Sequence, residues 1–139
     1  MIAGPNGSGK TTLTQYLEAA GVNFGNYINP DDIAKTPVGA YDKRVAEAQL
    51  EADSLRDQYL LEMRSFSFET VMSHRSKIEI LQNAKARGFD VTVYFVATRD
   101  PEINVNRVER RVDLGGHDVP KDRIIARYFR TMELLPEAI

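Results

Sequence analysis

The chain contains no cysteine. Disulfides, zinc–thiolate centres and thiol nucleophiles are therefore excluded. It has no apolar run long enough to cross a bilayer and no secretory leader, so the expected compartment is the cytoplasm and no membrane contact is expected. It also lacks a dominant charge: 18 Lys and Arg stand against 20 Asp and Glu, a net charge of −2. No overall basic field invites nucleic acid or a lipid surface. Internal repeats and low-complexity tracts are missing too. What is left is ordinary in composition: 139 residues, 42% hydrophobic and 27% charged. That suits a single domain over residues 1–139 with a real core.

One stretch is not ordinary. Gly4-Pro5-Asn6-Gly7-Ser8-Gly9-Lys10-Thr11 fits G-x-x-x-x-G-K-[ST] at every fixed position, and Thr12 follows in the same turn. Its glycines let the backbone bend until several N–H groups face one anion, and the next helix aims its positive end at the same point. Lys10 would reach the outer phosphates of ATP, and the Thr11 hydroxyl would ligate Mg²⁺. The flanks agree. Met1-Ile2-Ala3 reads as a strand, and Leu13, Tyr16, Leu17 and Ala20 recur at helical spacing before Gly21. Three residues are few for a central parallel strand, which suggests a chain that starts late or has been trimmed.

Tyr27-Ile28-Asn29 reads as a second strand ended by Pro30, with Asp31 and Asp32 directly after it. Ligands of open α/β sheets sit beyond the carboxyl ends of strands. A carboxylate there can take the proton of a hydroxyl that attacks a γ-phosphate. Either aspartate could instead cap the short helix Ile33-Ala34-Lys35. After the loop Thr36-Pro37-Val38-Gly39, a helix over Tyr41–Arg64 is expected to bury Val45, Ala48, Ala52, Leu55, Tyr59 and Met63. Glu47, Glu51 and Arg56 fall on its expected solvated face.

Ser65–Thr70 alternates as a strand does and brings Glu69 and Thr70 to the same crevice. Glu69 could hold a substrate hydroxyl or a magnesium-bound water, or merely cap a turn or pair with an arginine; Thr70 could donate to the substrate. Ser73 is expected to cap a helix reaching about Arg87, with Ile78, Leu81 and Ala84 inward and Gly88 after its end. Val91–Ala97 is nearly continuous and β-branched, as in a parallel strand buried on both faces.

Asp100-Pro101-Glu102 is a helix start. Val105, Val108 and Val112 form that helix's apolar face, with Arg107, Arg110 and Arg111 beside it. Gly115-Gly116-His117-Asp118-Val119-Pro120 ends it. A second helix follows, with Ile125, Tyr128, Met132 and Leu135 expected inward and Arg123, Arg127 and Arg130 in a stripe. Guanidinium forks suit a transferring phosphoryl group, and a helical pair over about 100–135 could close on ATP as a lid. Seven acidic residues between Asp100 and Glu133 leave surface pairing as the alternative for several of the arginines. His117 is a candidate phosphate contact.

Four segments taken in order are similar to one known family. They are the phosphate loop, Ile28-Asn29-Pro30-Asp31-Asp32, Phe66-Ser67-Phe68-Glu69-Thr70, and Arg107-Val108-x-x-Arg111-Val112 running into Gly115-Gly116-His117-Asp118-Val119-Pro120. Together they resemble the zeta-toxin family of P-loop kinases. The resemblance implies an α/β P-loop NTPase fold of kinase type, three-layered, with a parallel sheet of four or more strands and an arginine-bearing helical lid. It also implies ATP and Mg²⁺ as cofactors, and transfer of a phosphoryl group to the sugar 3′-hydroxyl of UDP-N-acetylglucosamine. Many members are paired with an antitoxin that blocks the ATP site.

By that resemblance Lys10 is the phosphate lysine, Asp31 the general base with Asp32 beside it, and Glu69 and Thr70 the substrate-side pair, here without an intervening glycine. Arg110, within Val108-Glu109-Arg110, matches a catalytic lid arginine. A second family arginine falls near His117 and is either replaced by it or supplied by Arg123 or Arg127. The family domain continues into a further strand, which is expected to be missing after Ile139 along with any adenine contacts near it. Two other readings stay open: an ATPase switch with water as acceptor, and a truncated, non-catalytic ATP-binding relative.

Overall fold

The computed structural model describes residues 1–34, 41–116 and 118–139. The expected loop at 36–39, Lys35 and His117 lie outside them. Four short strands, β1 (Ile2–Ala3), β2 (Asn26–Ile28), β3 (Phe66–Thr70) and β4 (Tyr94–Phe95), form one sheet in the order β2-β3-β1-β4. Every pairing is parallel, with Ile2 opposite both Glu69 and Tyr94, and Ile28 opposite Phe68.

Around the sheet run α1 (Lys10–Ala19), α2 (Pro30–Ala34), α3 (Tyr41–Leu61), α4 (Ser76–Ala86), α5 (Pro101–Asp113) and α6 (Lys121–Leu134), which ends in a 3₁₀ turn at Leu135–Glu137. Successive side chains of a strand point to opposite faces. Phe68 of β3 therefore packs with Ala52 and Leu55 of α3, while Glu69 meets Thr14 of α1 on the other face. The result is the three-layer P-loop NTPase fold. A second apolar cluster joins Ala3, Met72 and Ile78 to Phe95 and the end of α6. A third joins Val105 and Val108 of α5 to Val119 and to Ile124 of α6, so the helical pair has a core of its own.

The local expectations that hold have local causes. Asp100 caps α5 by accepting from the Glu102 N–H, with Pro101 in the first turn. Ile78, Leu81 and Ala84 are buried as expected. Gly115 and Gly116 donate their N–H groups to Val112 and Arg111, closing the end of α5.

Several expectations fail. Residues 91–97 give only the two-residue β4, and Val91 and Thr92 are exposed. β4 pairs with β1 alone and is an edge among the described residues, and its Tyr94 and Phe95 are half-buried rather than buried. In α3 the buried line among the described side chains is Ala48, Ala52, Arg56 and Leu60; the Val45 side chain lies outside them, and Met63, past the end of the helix, is exposed. In α6 Ile124, Tyr128 and Thr131 are buried and Met132 is exposed. Thr131 is tolerated because its hydroxyl donates to the carbonyls of Val71 and Arg127. In α1 only Thr14 is buried, and Tyr16 is 71% exposed. Ser73 does not cap α4; a ring nitrogen of His74 accepts from Ser76 N–H instead.

Candidate active site

The phosphate loop leaves β1 at Gly4 and enters α1 at Lys10. Gly4 N–H donates to the Thr70 carbonyl at 3.2 Å, tying the loop to β3. Two of its glycines leave no room for a side chain. At Gly4 (φ +152°) a Cβ would lie 2.0 Å from the Val96 carbonyl oxygen, and at Gly7 (φ +71°) 2.6 Å from that of Asn104. The loop is thus wedged between β4 and α5. Gly4 and Pro5 are buried beneath it, whereas Asn6, Gly7, Ser8, Gly9, Lys10, Thr11 and Thr12 all line a cleft of about 1360 Å³.

Lys10 Nζ donates to the carbonyls of Gly4 (2.9 Å) and Pro5 (3.0 Å). Burial pushes its ammonium down to about 8, against the pull of the Glu69 and Asp31 carboxylates. The buried Ser8 hydroxyl has no hydrogen-bond partner among the described residues. A backbone nest with a cation and an unsatisfied hydroxyl fits a polyphosphate.

Glu69 is the hub below the loop. It is 8% exposed, and its carboxylate accepts from Thr11 (3.5 Å), Thr14 (3.4 Å) and the Asn29 side-chain amide (3.5 Å). Burial raises its carboxyl above the ordinary range, opposed first by the Lys10 charge and then by hydrogen bonds that include one from Tyr27. The Thr11 hydroxyl and the Glu69 carboxylate side by side suit a hydrated Mg²⁺, which keeps most of its waters and needs few protein oxygens. Glu69 lines the cleft beside Thr11, a placement compatible with the magnesium-water role expected of it.

Asn29 resolves the aspartate ambiguity. Its Oδ1 accepts from Asp31 N–H at 3.0 Å and its carbonyl accepts from Asp32 and Ile33, so Asn29 caps α2. Neither aspartate is needed for that. Asp31 lines the cleft, but Asp32 lines a separate cavity of about 260 Å³ with Tyr27, Leu55 and Tyr59. Thr70 lines the cleft, with its hydroxyl accepting from Met72 N–H at 3.1 Å.

Arg107, Arg111, Arg123 and Arg127 line the cleft; Arg110 and Arg130 do not. Arg107 and Arg111 lie about 40° apart around the helix, whereas Arg110 sits about 60° beyond Arg107 on the side away from Arg111. Arg107 donates to the carbonyls of Gly7 and Ser8, and Arg127 to Asn6 Oδ1. These two arginines thus touch the loop itself.

Two residues escaped the sequence reading. Asn104, fully buried in α5, donates to the Asn6 carbonyl at 2.6 Å and is hydrogen-bonded to Thr98. It stands four residues before Val108 on the apolar stripe, where a lone amide was the available signal. Arg56, assigned to the solvated face of α3, is 1% exposed and lines the cleft. It lies four residues from Ala52 and from Leu60, on their stripe.

Comparison with known proteins matches residues 1–137 to the Zeta toxin family. An uncharacterized protein of Haemophilus influenzae is 32% identical over 127 residues, covering 90% of this chain and 88% of its own. Among solved structures, a chain of the Pnkp1/Rnl/Hen1 RNA repair complex superposes with a TM-score of 0.60 at 19% identity, over 95% of this chain. This chain spans 43% of that one, and the likeness carries the fold alone. The family is one of P-loop kinase-like, ATP-using proteins, and the chain belongs to the zeta-toxin family.

Proposed function

We propose that the protein is an ATP-dependent small-molecule kinase that phosphorylates a hydroxyl of a nucleotide sugar such as UDP-N-acetylglucosamine. The observation that carries this reading is the convergence, on one cleft, of the Lys10–Thr11 loop, the Asp31 carboxylate and four arginines. Bound MgATP would supply the phosphoryl group and the metal's charge. Lys10 and Thr11 would orient it, with Glu69 holding the metal's water shell. Asp31 would accept the proton as the acceptor oxygen forms its bond to phosphorus and the bond to the leaving ADP breaks. Arg107 and Arg111, rather than Arg110, would stabilise the developing charge, with Arg123 and Arg127 closing the far side. Thr70 would meet the acceptor; Asp32 has no part in this arrangement. An antitoxin covering the ATP site is the partner that family membership suggests.

The test is incubation with ATP, Mg²⁺ and a panel of nucleotide sugars, with products followed by mass spectrometry. A phosphorylated sugar nucleotide that disappears in Asp31→Asn supports both the reaction and the base. Product undiminished in the variant keeps the kinase and removes Asp31 as base. ATP consumed at the same rate without any acceptor would replace the kinase by an ATPase.

A further inference from the structure

Beyond Asp31 and Thr70 the cleft continues along α3 and the start of α4, where Ala46, Gln49, Arg56, His74 and Lys77 line it. These residues belong neither to the phosphate loop nor to the lid. Arg56 is the unusual member. Its guanidinium lies 5.0 Å from the centre of the Phe68 ring, one terminal nitrogen pairs with Asp53, and Nε has no hydrogen-bond partner among the described residues. Lys77 Nζ reaches the same Asp53 oxygen at 3.2 Å, as does the Gln49 amide at 3.5 Å.

Two cations, Arg56 buried and Lys77 mostly so, therefore share one oxygen of a half-exposed carboxylate in the cleft wall. Asp57 also acts on Arg56, but it is exposed and screened by solvent. Two cations on one carboxylate leave a net positive charge in this wall, which an added anion would balance. Burial, and then the Arg56 charge, pushes Lys77 down to about 8, as expected when the second cation lacks a full counter-charge. A planar fork beside an ammonium matches the oxygens of a phosphate.

We propose that Arg56 and Lys77 form a second phosphate site, which holds the acceptor by a phosphate group while its hydroxyl faces Asp31. This rests on the kinase reading above and adds to it the residues that would hold the acceptor's phosphate. The phosphate could belong to a nucleotide diphosphate or to a sugar phosphate.

The experiment is calorimetric. The protein is first titrated with Mg²⁺ and AMP-PNP, which fills the loop, and the loaded protein is then titrated with inorganic phosphate. We expect a second saturable event, weakened at least about tenfold in Arg56→Gln and in Lys77→Gln, since each loses a charged hydrogen-bond donor. Lys77 is partly exposed, so its variant is the one that tests the site if Arg56→Gln fails to fold; retained AMP-PNP affinity reports the fold. Absence of AMP-PNP binding would overturn the kinase reading and this site with it. Normal AMP-PNP binding with no phosphate uptake, or uptake unchanged in Lys77→Gln, would overturn the site alone. Displacement of the phosphate by uridine diphosphate or by glucosamine 1-phosphate supports it and names the source. Displacement by neither overturns it.

Discussion

Asn104 in α5 donates its side-chain amide to the Asn6 carbonyl across 2.6 Å, bolting the phosphate loop to the lid. The bond lies in a fully buried position next to the close approach of Gly7 to the Asn104 backbone. Asn104→Ala leaves that carbonyl unsatisfied and should cost about 1–3 kcal/mol of folding stability. Urea unfolding reads this directly; a midpoint within error of wild type would show that water replaces the amide without loss.

The arginine face can be tested by contrast. Arg107→Ala should lower kcat by about a hundredfold, as expected for loss of a group aimed at developing charge. Arg110→Ala, on the exposed side, should stay within about twofold. Equal losses in the two variants would return the catalytic role to Arg110.

Lys10 sets a pH dependence. Below about pH 8 its ammonium is charged in the free protein, and MgATP binding needs no proton. Above that pH the free protein has lost the proton, the polyphosphate restores it, and affinity should fall by up to about tenfold per pH unit. Stability without nucleotide moves the other way. Between about 8 and the ordinary 10.5 the unfolded chain binds more protons, so unfolding becomes harder as pH rises. Lys10→Arg should flatten the affinity profile; an unchanged profile would assign the titration to another group.

Glu69→Gln removes the negative charge beside Thr11 but keeps an acceptor there. The Mg²⁺ concentration needed for half-maximal activity at fixed ATP should rise about tenfold, if the carboxylate serves the metal corner. Superposable magnesium curves, with a raised KM for the acceptor, would move Glu69 to the substrate.

The phosphate loop was legible because its pattern is continuous in sequence and each fixed residue has a steric or charge reason. The cap at Asp100 was legible on the same ground. What was not legible depends on neighbours distant in the chain. Whether residues 91–97 lie in the middle of a sheet depends on which strands flank them, and β4 has a neighbour on one side among the described residues. Arg56 was assigned to solvent because periodicity treats charge as exposed, yet the Phe68 ring and the Asp53 carboxylate make a buried place for it. Asp31 and Asp32 are adjacent and chemically identical; only the cap at Asn29 and the direction of α2 send them to different cavities.

That same Asn29 joins the two acidic centres of the cleft through a single planar group. Its oxygen receives Asp31 N–H and its nitrogen reaches Glu69. One carboxamide thus clips the first turn of α2, from which the Asp31 side chain springs, to the end of β3 beside Glu69, so that a change at Asn29 would loosen both carboxylates at once.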